Sequence, residues 1–479
     1  MWRPALSALL LGAYSQTLLG VAPLGFVSLV PWLLTLDDEP KRARALLATW
    51  LTTCGFVVLA FPWLVTAANV YAQLPRWAGW LLLVVLAPLL EPQLLVAALV
   101  RRRFGPVAAA GAWLLTEHAF PKLLHDTLGH GLQPLPGLRG LAAWGGVPLL
   151  TALLLASNEL VAHAVRRREH RRWLVAAPLL PLLVGFVPLR QPHEGPELQV
   201  AAVQPSLERY DVLLARHGSG GLVEEILSTH EALSGEAARR GAELIIWGES
   251  VYPTTFGHPK SEAGAEMDQR IIETVRRAGR PLVFGAYDVD ATTEFNAAFL
   301  LDAHGVTRDV YRKSRLFPFG EFLPLGEWWA RLGLIEGPAG WGRGAGPRVL
   351  AVPMANGRTV KVQTLICYEA VFEGIVDAQA ELLINLTNDG GFASELQARQ
   401  HLAVSAFRSV ESGLAQVRVA NSGTSALIDA SGEVVSSLPV GERAVLTGAV
   451  PLRRARQLVP LWPFATLMLG FAVVSRARR

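Results

Sequence analysis

Three short segments of this sequence each carry a side chain that is suited to acyl transfer. Glu249 lies in WGES, Lys313 in YRKSRLFPFGEF and Cys367 in LICYEA. Each segment follows an apolar, β-rich stretch, so each side chain is expected at or near the end of a strand. A carboxylate, an ammonium and a thiol can act as base, oxyanion-binding cation and nucleophile in a thioester mechanism. Together they form a complete set of groups for acyl transfer.

Each of these residues also has a purely structural interpretation. A cysteine at the end of a buried strand is often an inert core residue, and a lysine after a strand is often solvated. Glu249 is harder to explain in this way, because a buried carboxylate is costly without a partner. Strand ends of one parallel-type sheet meet at the same edge, where α/β proteins form their sites. We therefore expect the three side chains to converge at the edge of one such sheet.

The composition indicates a chain that is partly membrane-embedded and partly globular. Of its 479 residues, 51% are hydrophobic and only 18% are charged, and the mean hydropathy is +0.32. These values are too apolar for an ordinary soluble enzyme and too charged for a pure membrane bundle.

The basic charge does not indicate nucleic-acid binding. The net charge is +4, but the basic residues form short clusters beside apolar stretches, which is typical of membrane-flanking anchors. These clusters lie at residues 41–44, 101–103, 167–172 and 476–479. Of the two cysteines, Cys54 lies inside an apolar stretch, so neither a disulfide nor a metal-binding spacing is indicated.

Apolar segments precede and follow one long polar region. The longer ones approach the roughly 20 residues that cross a bilayer. We predict about seven spans in residues 1–190, a polar domain at 198–450 and a C-terminal span at 455–476. The predicted segments are 5–20, 23–36, 45–70, 76–100, 106–121, 139–165, 172–189 and 457–475.

The charge pattern also predicts an orientation. If the N-terminus is cytoplasmic, the loops after spans 2, 4 and 6 and the C-terminal tail are cytoplasmic as well. All four basic clusters lie in these regions, so the polar domain is predicted to lie outside the cytoplasm. This argument requires an odd number of spans before the domain.

Within the polar domain, apolar runs of strand length alternate with helical stretches. We predict helices near 221–240, 263–278 and 394–412, and a strand hairpin around the turn His304–Gly305. This alternation indicates a sheet that is covered by helices on its outer face.

At this point the sequence resembles the nitrilase superfamily and, within it, the membrane-embedded apolipoprotein N-acyltransferases. The resemblance rests on Glu249, Lys313 and Cys367 with their surroundings and covers almost the whole polar domain. The matching runs are VQP at 203–205, KSRLFPFGEFLP at 313–324, CYEAVF at 367–372, INLTND at 384–389, and 400–429. It implies a membrane α-helical bundle plus an α/β domain, in which a nitrilase-like α-β-β-α sandwich is inserted between transmembrane helices 7 and 8.

The resemblance also implies a reaction. Glu249 would take the proton of Cys367, whose sulfur attacks an acyl ester of a phospholipid, while Lys313 and the backbone N–H after Cys367 hold the oxyanion. The resulting thioester would pass its acyl chain to the N-terminal amine of a diacylglyceryl-cysteine on an apolipoprotein. Neither a metal nor an organic cofactor is implied, and the expected location is the bacterial cytoplasmic membrane.

Further residues match positions that support the family's active site. Glu321 is expected to fix Lys313 or Glu249, Glu369 to tether a loop, and Tyr368 to lie beside the nucleophile. The structural alternative for these carboxylates is a surface or capping role. Within the apolar segments Glu91 and Glu159 are costly and are therefore functional candidates, whereas Arg408 and Glu411 are expected to form a structural ion pair.

Several positions depart from the family pattern. Gly248 replaces a proline, Arg315 a histidine, Phe120 an arginine and Gly391 a tryptophan, and the expected Gly-Phe-Pro-Trp after Glu117 is absent. These departures concern loops rather than the three reactive residues, so they bear on the substrates more than on the chemistry.

Other functions remain open at this stage. One is a membrane-anchored amidase of the nitrilase type, although an amidase needs one anchor rather than about eight spans. Another is an N-acyltransferase with a different amine acceptor. A third is a non-catalytic membrane scaffold, against which the intact Glu–Lys–Cys set argues.

Overall fold

The computed structural model describes most of the chain and divides it into two compact units. The described residues are 2–167, 170–186, 195–207, 210–252, 254–332, 340–390, 392, 394–461 and 463–469. The helical unit comprises residues 1–190, 399–411 and 458–479, and the sheet unit comprises 191–398 and 412–457. The predictions for Gly391 and for the basic tail at 476–479 concern residues outside the described ones.

The helical unit is built from apolar helices joined by short turns. They are α1 (Trp2–Tyr14), α2 (Val30–Asp38), α3 (Arg42–Ala60), α4 (Trp63–Ala72), α5 (Arg76–Leu90), α6 (Pro92–Phe104), α7 (Pro106–Ala119), α8 (Pro136–Arg166) and α9 (Trp173–Gly185). Two 3₁₀ turns, Ala22–Phe26 and Leu128–Leu132, separate some of them.

Two of the predicted membrane segments are broken by proline. The segment 45–70 divides into α3 and α4 at Pro62, and the segment 76–100 divides into α5 and α6 at Pro92. Proline lacks the N–H that would continue the hydrogen-bond ladder of a helix. Among the described residues, α3 and α8 are long and apolar enough to cross a membrane, and the bent pair α4–α5 would make a third span. The predicted number of seven spans therefore stays a prediction.

The helical unit also includes residues 399–411, from the middle of α13 (Glu395–Ser412). The side chain of Gln400 donates hydrogen bonds to the carbonyl oxygens of Ser15 and Ala60 and accepts one from Trp63 Nε1, at 2.9–3.1 Å. Arg408 pairs with Glu411 at 2.9 Å, as predicted. These contacts satisfy polar groups that would be costly if they were buried alone.

The sheet unit contains two six-stranded mixed sheets. The first has the order β12-β1-β2-β3-β4-β5 and the second β11-β10-β9-β8-β7-β6. The strands are β1 (Glu197–Gln204), β2 (Leu244–Trp247), β3 (Leu282–Val289), β4 (Glu294–Leu301), β5 (Thr307–Arg312), β6 (Val349–Pro353), β7 (Thr359–Ile366), β8 (Leu382–Thr387), β9 (Gln416–Ala420), β10 (Ala426–Ile428), β11 (Val434–Ser437) and β12 (Ala444–Pro451).

Apolar side chains from both sheets form one core between them. Val200, Ile246 and Val283 of the first sheet share this core with Val362 and Ile384 of the second. A second core covers the opposite face of the first sheet, where helices α10 (Tyr210–Arg239) and α11 (Glu262–Ala278) pack. The unit also contains the short helix α12 (Gly326–Arg331), between β5 and β6.

The predicted helices of the polar domain and the β4–β5 hairpin are confirmed. The prediction of one parallel-type sheet is wrong, because among the described strands only β1–β2–β3 and β7–β8–β9 pair in parallel, and they belong to different sheets. The two sheets agree instead with the α-β-β-α sandwich that the family resemblance implied. The apolar patterning alone could not separate the two sheets, since every central strand is buried on both faces and reads as the same apolar run.

The central position of β8 allows a test of this core. Ile384 is fully buried between the sheets, whereas Val435 on the edge strand β11 is 65% exposed. Ile384→Ala should cost about 2–5 kcal/mol of stability through the cavity it leaves, which lowers the melting temperature by roughly 4–20 °C. Val435→Ala should leave the melting temperature of the full chain in detergent unchanged. Equal melting temperatures for both variants would contradict the described core.

Candidate active site

The three reactive side chains lie at strand ends of both sheets. Glu249 follows β2 by two residues, and Lys313 comes directly after β5, in the first sheet. Cys367 comes directly after β7 in the second sheet. The predicted convergence is therefore correct although the predicted single sheet is not, because the facing sheets present these ends to one another.

Lys313 occupies the centre of a buried ionic cluster. Its Nζ donates hydrogen bonds to Glu249 Oε1 at 3.1 Å and to Glu321 Oε1 at 2.8 Å. Asn296, on β4, donates from its Nδ2 to the same two oxygens at 2.8 and 2.9 Å. Burial disfavours the charge on Lys313, but the two carboxylates outweigh it and raise the pKa of the ammonium above its usual value.

The carboxylates outnumber the ammonium in this cluster, and neutral donors stabilise the surplus charge. The backbone N–H of Asn388 donates to Glu249 Oε2 at 3.0 Å, and that of Phe317 donates to Glu321 Oε2 at 2.7 Å. Such hydrogen bonds are needed because a buried charge without full compensation is strongly destabilising. Asn388 directly follows β8 and belongs to the matching run INLTND.

The carboxylate of Glu249 has an acceptor position that is not used by the hydrogen bonds described above. Its Oε1 accepts two hydrogen bonds and its Oε2 accepts one. A carboxylate has about four acceptor positions, so Oε2 retains one that a thiol can use. Lys313 directs two of its three N–H groups to carboxylates, and the third remains for another acceptor.

The backbone at two strand ends is held in an uncommon conformation. Cys367 has φ = 48° and Ser250, beside Glu249, has φ = 49°. Non-glycine residues pay of order 1 kcal/mol or more for this region, and such strain tends to occur at functional sites. Gly285 on β3 permits the close approach of the Glu249 loop, because a Cβ there would lie 2.7 Å from the Cα of Glu249.

Glu369 ties the loop of Lys313 to the turn of Cys367. Its Oε1 accepts hydrogen bonds from Tyr311 Oη, from Ser314 N and Oγ, and from Arg315 N, at 2.6–3.1 Å. Its Oε2 accepts the N–H of Ile366 at 2.9 Å. Glu369 is fully buried. It caps the Cys367 turn through the N–H of Ile366, and it also joins this turn to the segment that carries Lys313.

A cluster of aromatic rings lies next to the turn that begins at Cys367. Tyr368 is buried, and its ring centroid lies 5.2 Å from that of Phe317 and 5.1 Å from that of Phe372. The guanidinium of Arg315, where the family pattern has histidine, lies 5.3 Å from the centroid of Phe372. Tyr368 therefore packs the turn that holds Cys367.

The thiol of Cys367 is a weak acid in this setting. Burial raises its pKa most, the charge of Glu249 raises it further, and the charge of Lys313 lowers it without offsetting the other two. Lys313 alone would favour the thiolate, but the effect of burial is larger. Because the thiol is protonated at rest, a nearby base must remove its proton during attack.

Two residues of the site were missed in the sequence. Asn296 bridges both carboxylates, and Arg418 on β9 donates to Asp389 Oδ2 at 2.9 Å and to Asn385 Oδ1 at 2.6 Å. Both are polar residues inside buried, mostly apolar strands, which is a signal that could have marked them. Among the described residues, no group of three or more His, Cys, Asp or Glu side chains has the arrangement of a metal site.

The electrostatics of Cys367 can be tested by titration. Its pKa should lie above the ordinary value of 9.0. Glu249→Gln removes a negative charge and should lower this pKa relative to the wild type, whereas Lys313→Met should raise it. The measurement is the ultraviolet absorbance of the thiolate against pH in a Cys54→Ala background, with Cys367→Ala as the blank. A pKa that is unchanged or raised in Glu249→Gln would contradict the described arrangement.

Comparison with known families covers both parts of the chain. Residues 199–459 match the family model described as Carbon-nitrogen hydrolase. Residues 7–160 match the model described as Apolipoprotein N-acyltransferase N-terminal domain.

Individual relatives extend over most of the length. A protein of Chlorobaculum tepidum named apolipoprotein N-acyltransferase is 29% identical, over 94% of this chain and 90% of the relative. Proteins of the same name from Allorhizobium ampelinum and Azotobacter vinelandii are 28% and 29% identical, each over 99% of this chain and 96% of the relative. Among solved structures, an amidase from Nesterenkonia sp. matches 54% of this chain and 92% of its own, with 19% identity and a TM-score of 0.37.

Proposed function

We propose, from the premise that this chain belongs to the carbon–nitrogen hydrolase family, that it is an N-acyltransferase of lipoprotein maturation. The enzyme moves an acyl chain from a phospholipid to the N-terminal amine of the diacylglyceryl-cysteine of an apolipoprotein. The observation that carries the proposal is the buried Glu249–Lys313–Glu321 cluster beside the Cys367 turn. The match of residues 7–160 to the N-terminal domain of apolipoprotein N-acyltransferases supports the lipoprotein substrate over a small amide.

In the first half of the reaction the thiol is acylated. Glu249 takes the proton of Cys367 at its remaining acceptor position while the sulfur attacks the carbonyl carbon of the phospholipid ester. The negative charge that develops on the carbonyl oxygen is stabilised by Lys313 and by the backbone N–H of Tyr368. The ester bond then breaks, Glu249 returns the proton to the leaving oxygen, and lysophospholipid departs from an acyl-Cys367 thioester.

In the second half the amine of the acceptor attacks the thioester carbonyl. Glu249 accepts a proton from the amine, and the same two donors hold the second oxyanion. Collapse of that intermediate forms the amide and expels the thiolate, which regains a proton from Glu249. Protons and charges balance over the cycle, and each half uses the same three residues in the same roles.

The supporting residues hold Glu249, Lys313 and Cys367 in fixed positions. Glu321 and Asn296 fix Lys313 and Glu249, while Glu369 joins the Lys313 loop to the Cys367 turn. Because oxyanion donors must be in place before the charge forms, a fixed ammonium is more effective than a mobile one. Tyr368 contributes both its packing and its N–H.

The sheet unit is proposed to lie outside the cytoplasm of a bacterial inner membrane. We propose that residues 1–190 form a bundle of about seven spans, that residues 198–450 form the catalytic domain, and that residues 455–476 form an eighth span. The basic clusters at residues 41–44, 101–103 and 167–172 support cytoplasmic loops between spans. The chain is a multi-pass protein in this proposal, and its substrates reach it from the membrane.

Activity of variants tests the proposed roles. With a phospholipid and a diacylated lipopeptide, Cys367→Ala should abolish N-acylation, and Glu249→Gln should lower kcat by about 10²–10⁴ through loss of the base. Lys313→Met should lower kcat by about 10²–10³ through loss of an oxyanion donor. Cys54→Ala is the matched control and should retain activity, measured by mass spectrometry of the lipopeptide. Full activity of Cys367→Ala would overturn the mechanism, and hydrolysis of amides without N-acylation would favour the amidase.

Orientation has its own test. A green fluorescent reporter fused after Arg479 should fluoresce, because it folds in the cytoplasm, and alkaline phosphatase fused at the same point should be inactive. The reverse fusion behaviour would contradict the proposed topology while leaving the chemistry untouched.

A further inference from the structure

A cavity of about 70 Å³ lies inside the helical unit. This is several times the roughly 10–15 Å³ that one water requires. Most of its wall is hydrophobic and includes Phe56, Phe61 and Trp113. A polar part of the wall is formed by Glu91, Gln93, Asp126, Thr127 and His130.

Several polar atoms of this wall are buried without a hydrogen-bond partner among the described residues. They are Gln93 Oε1 and His130 Nε2, together with Glu91 Oε1 and Asp126 Oδ1, whose only partner among the described residues is the ion-paired ammonium of Lys122. The side chains of Glu91, Gln93 and His130 belong to residues that are only 3%, 2% and 4% exposed. Buried polar atoms are rarely left unpaired because the cost is large. Their shared position on one cavity indicates a bound polar group.

The hydrogen bonds that are made define what this group must offer. His130 Nδ1 accepts the N–H of Thr127 at 2.9 Å, so a neutral ring carries its proton on Nε2. The Nε2 of Gln93 already donates to Glu91 Oε2, which leaves the Oε1 atoms of Gln93 and Glu91 as acceptors. With Asp126 Oδ1, three acceptor oxygens therefore accompany one imidazole donor. A ligand rich in N–H donors is the complement of this wall.

Charge points to the same kind of ligand. Lys122 Nζ lies 3.7 Å from Glu91 Oε1 and 3.4 Å from Asp126 Oδ1. Glu117, whose Oε1 accepts hydrogen bonds from Trp113 and from the N–H of Leu128, adds a third carboxyl group. Lys122 thus lies close to carboxyl groups whose oxygens can also accept hydrogen bonds from a bound N–H donor. Aromatic side chains in the wall also suit a cation.

We propose that this cavity binds a primary ammonium group. Its N–H donors bond to Glu91 and Gln93, and its carbon substituent contacts the apolar wall. The ammonium belongs either to the ethanolamine headgroup of a phospholipid or to a free alkylamine. The site is separate from the chemistry at Cys367 and does not rest on the function proposed above.

Calorimetric titration of the full chain tests this site. The chain is held in nanodiscs of phosphatidylglycerol and titrated with n-butylamine, with dihexanoyl phosphatidylethanolamine and with tetramethylammonium, which has no N–H. Saturable binding of at least one primary ammonium is expected, with tetramethylammonium about tenfold weaker or worse because it lacks charge-assisted hydrogen bonds. Binding of both primary amines or of butylamine alone indicates a free-amine site, and binding of the phospholipid alone indicates a headgroup site.

Variants separate this site from a general effect on the bundle. Glu91→Gln and Gln93→Leu should each weaken binding about tenfold. Glu159→Gln is the matched control, since Glu159 is a carboxylate of the same unit that pairs with Arg101 away from the cavity wall, and its affinity should equal that of the wild type. Cys367→Ala should also bind normally, which distinguishes failure here from failure of the thioester mechanism.

Two results would overturn the proposal. One is the lack of saturable binding of either primary ammonium to the wild type. The other is equal affinity in the wild type and in Gln93→Leu, the variant that keeps every charge and remains informative if Glu91→Gln does not fold. Thermal melting of each variant verifies that it is folded before its affinity is compared.

Discussion

The site depends on the ion pairs that the buried ammonium of Lys313 forms with two carboxyl groups. The ammonium lies between Glu249 and Glu321, at 3.1 and 2.8 Å, and its positive charge offsets the cost of burying their carboxyl groups. The pair in turn keeps the lysine charged despite its burial. In the proposed mechanism Glu249 acts as the base and Lys313 holds the oxyanion, so both proposed roles depend on this one cluster.

The rest of the sheet unit positions Glu249 and Lys313 near Cys367, the proposed nucleophile. Glu249 and Lys313 are carried by strands of the first sheet and Cys367 by a strand of the second, so the core between the sheets fixes their separation. Glu369 adds a direct link through five hydrogen bonds from the two loops. Burial also raises the pKa of the Cys367 thiol, and the proposed transfer of its proton to Glu249 would overcome that effect.

Much of this arrangement was accessible from the sequence. The motifs around Glu249, Lys313 and Cys367 identified the family, and the comparisons confirm that identification. Strand ends were predicted well because apolar runs stop at polar residues. The two-sheet arrangement was not predictable from patterning alone, because long-range pairing leaves no local signal. Asn296 and Arg418 were missed for a related reason, since their partners lie far away in the chain.

The most direct test of the central claim follows the acyl group itself. The protein is incubated with a phospholipid that carries a labelled acyl chain, without an acceptor, and its peptides are mapped by mass spectrometry. The expected result is an acyl adduct on Cys367 that hydroxylamine removes and that a diacylated lipopeptide discharges as the N-acylated product. An adduct on another residue, or an adduct on Cys367 that the lipopeptide cannot discharge, would contradict the account.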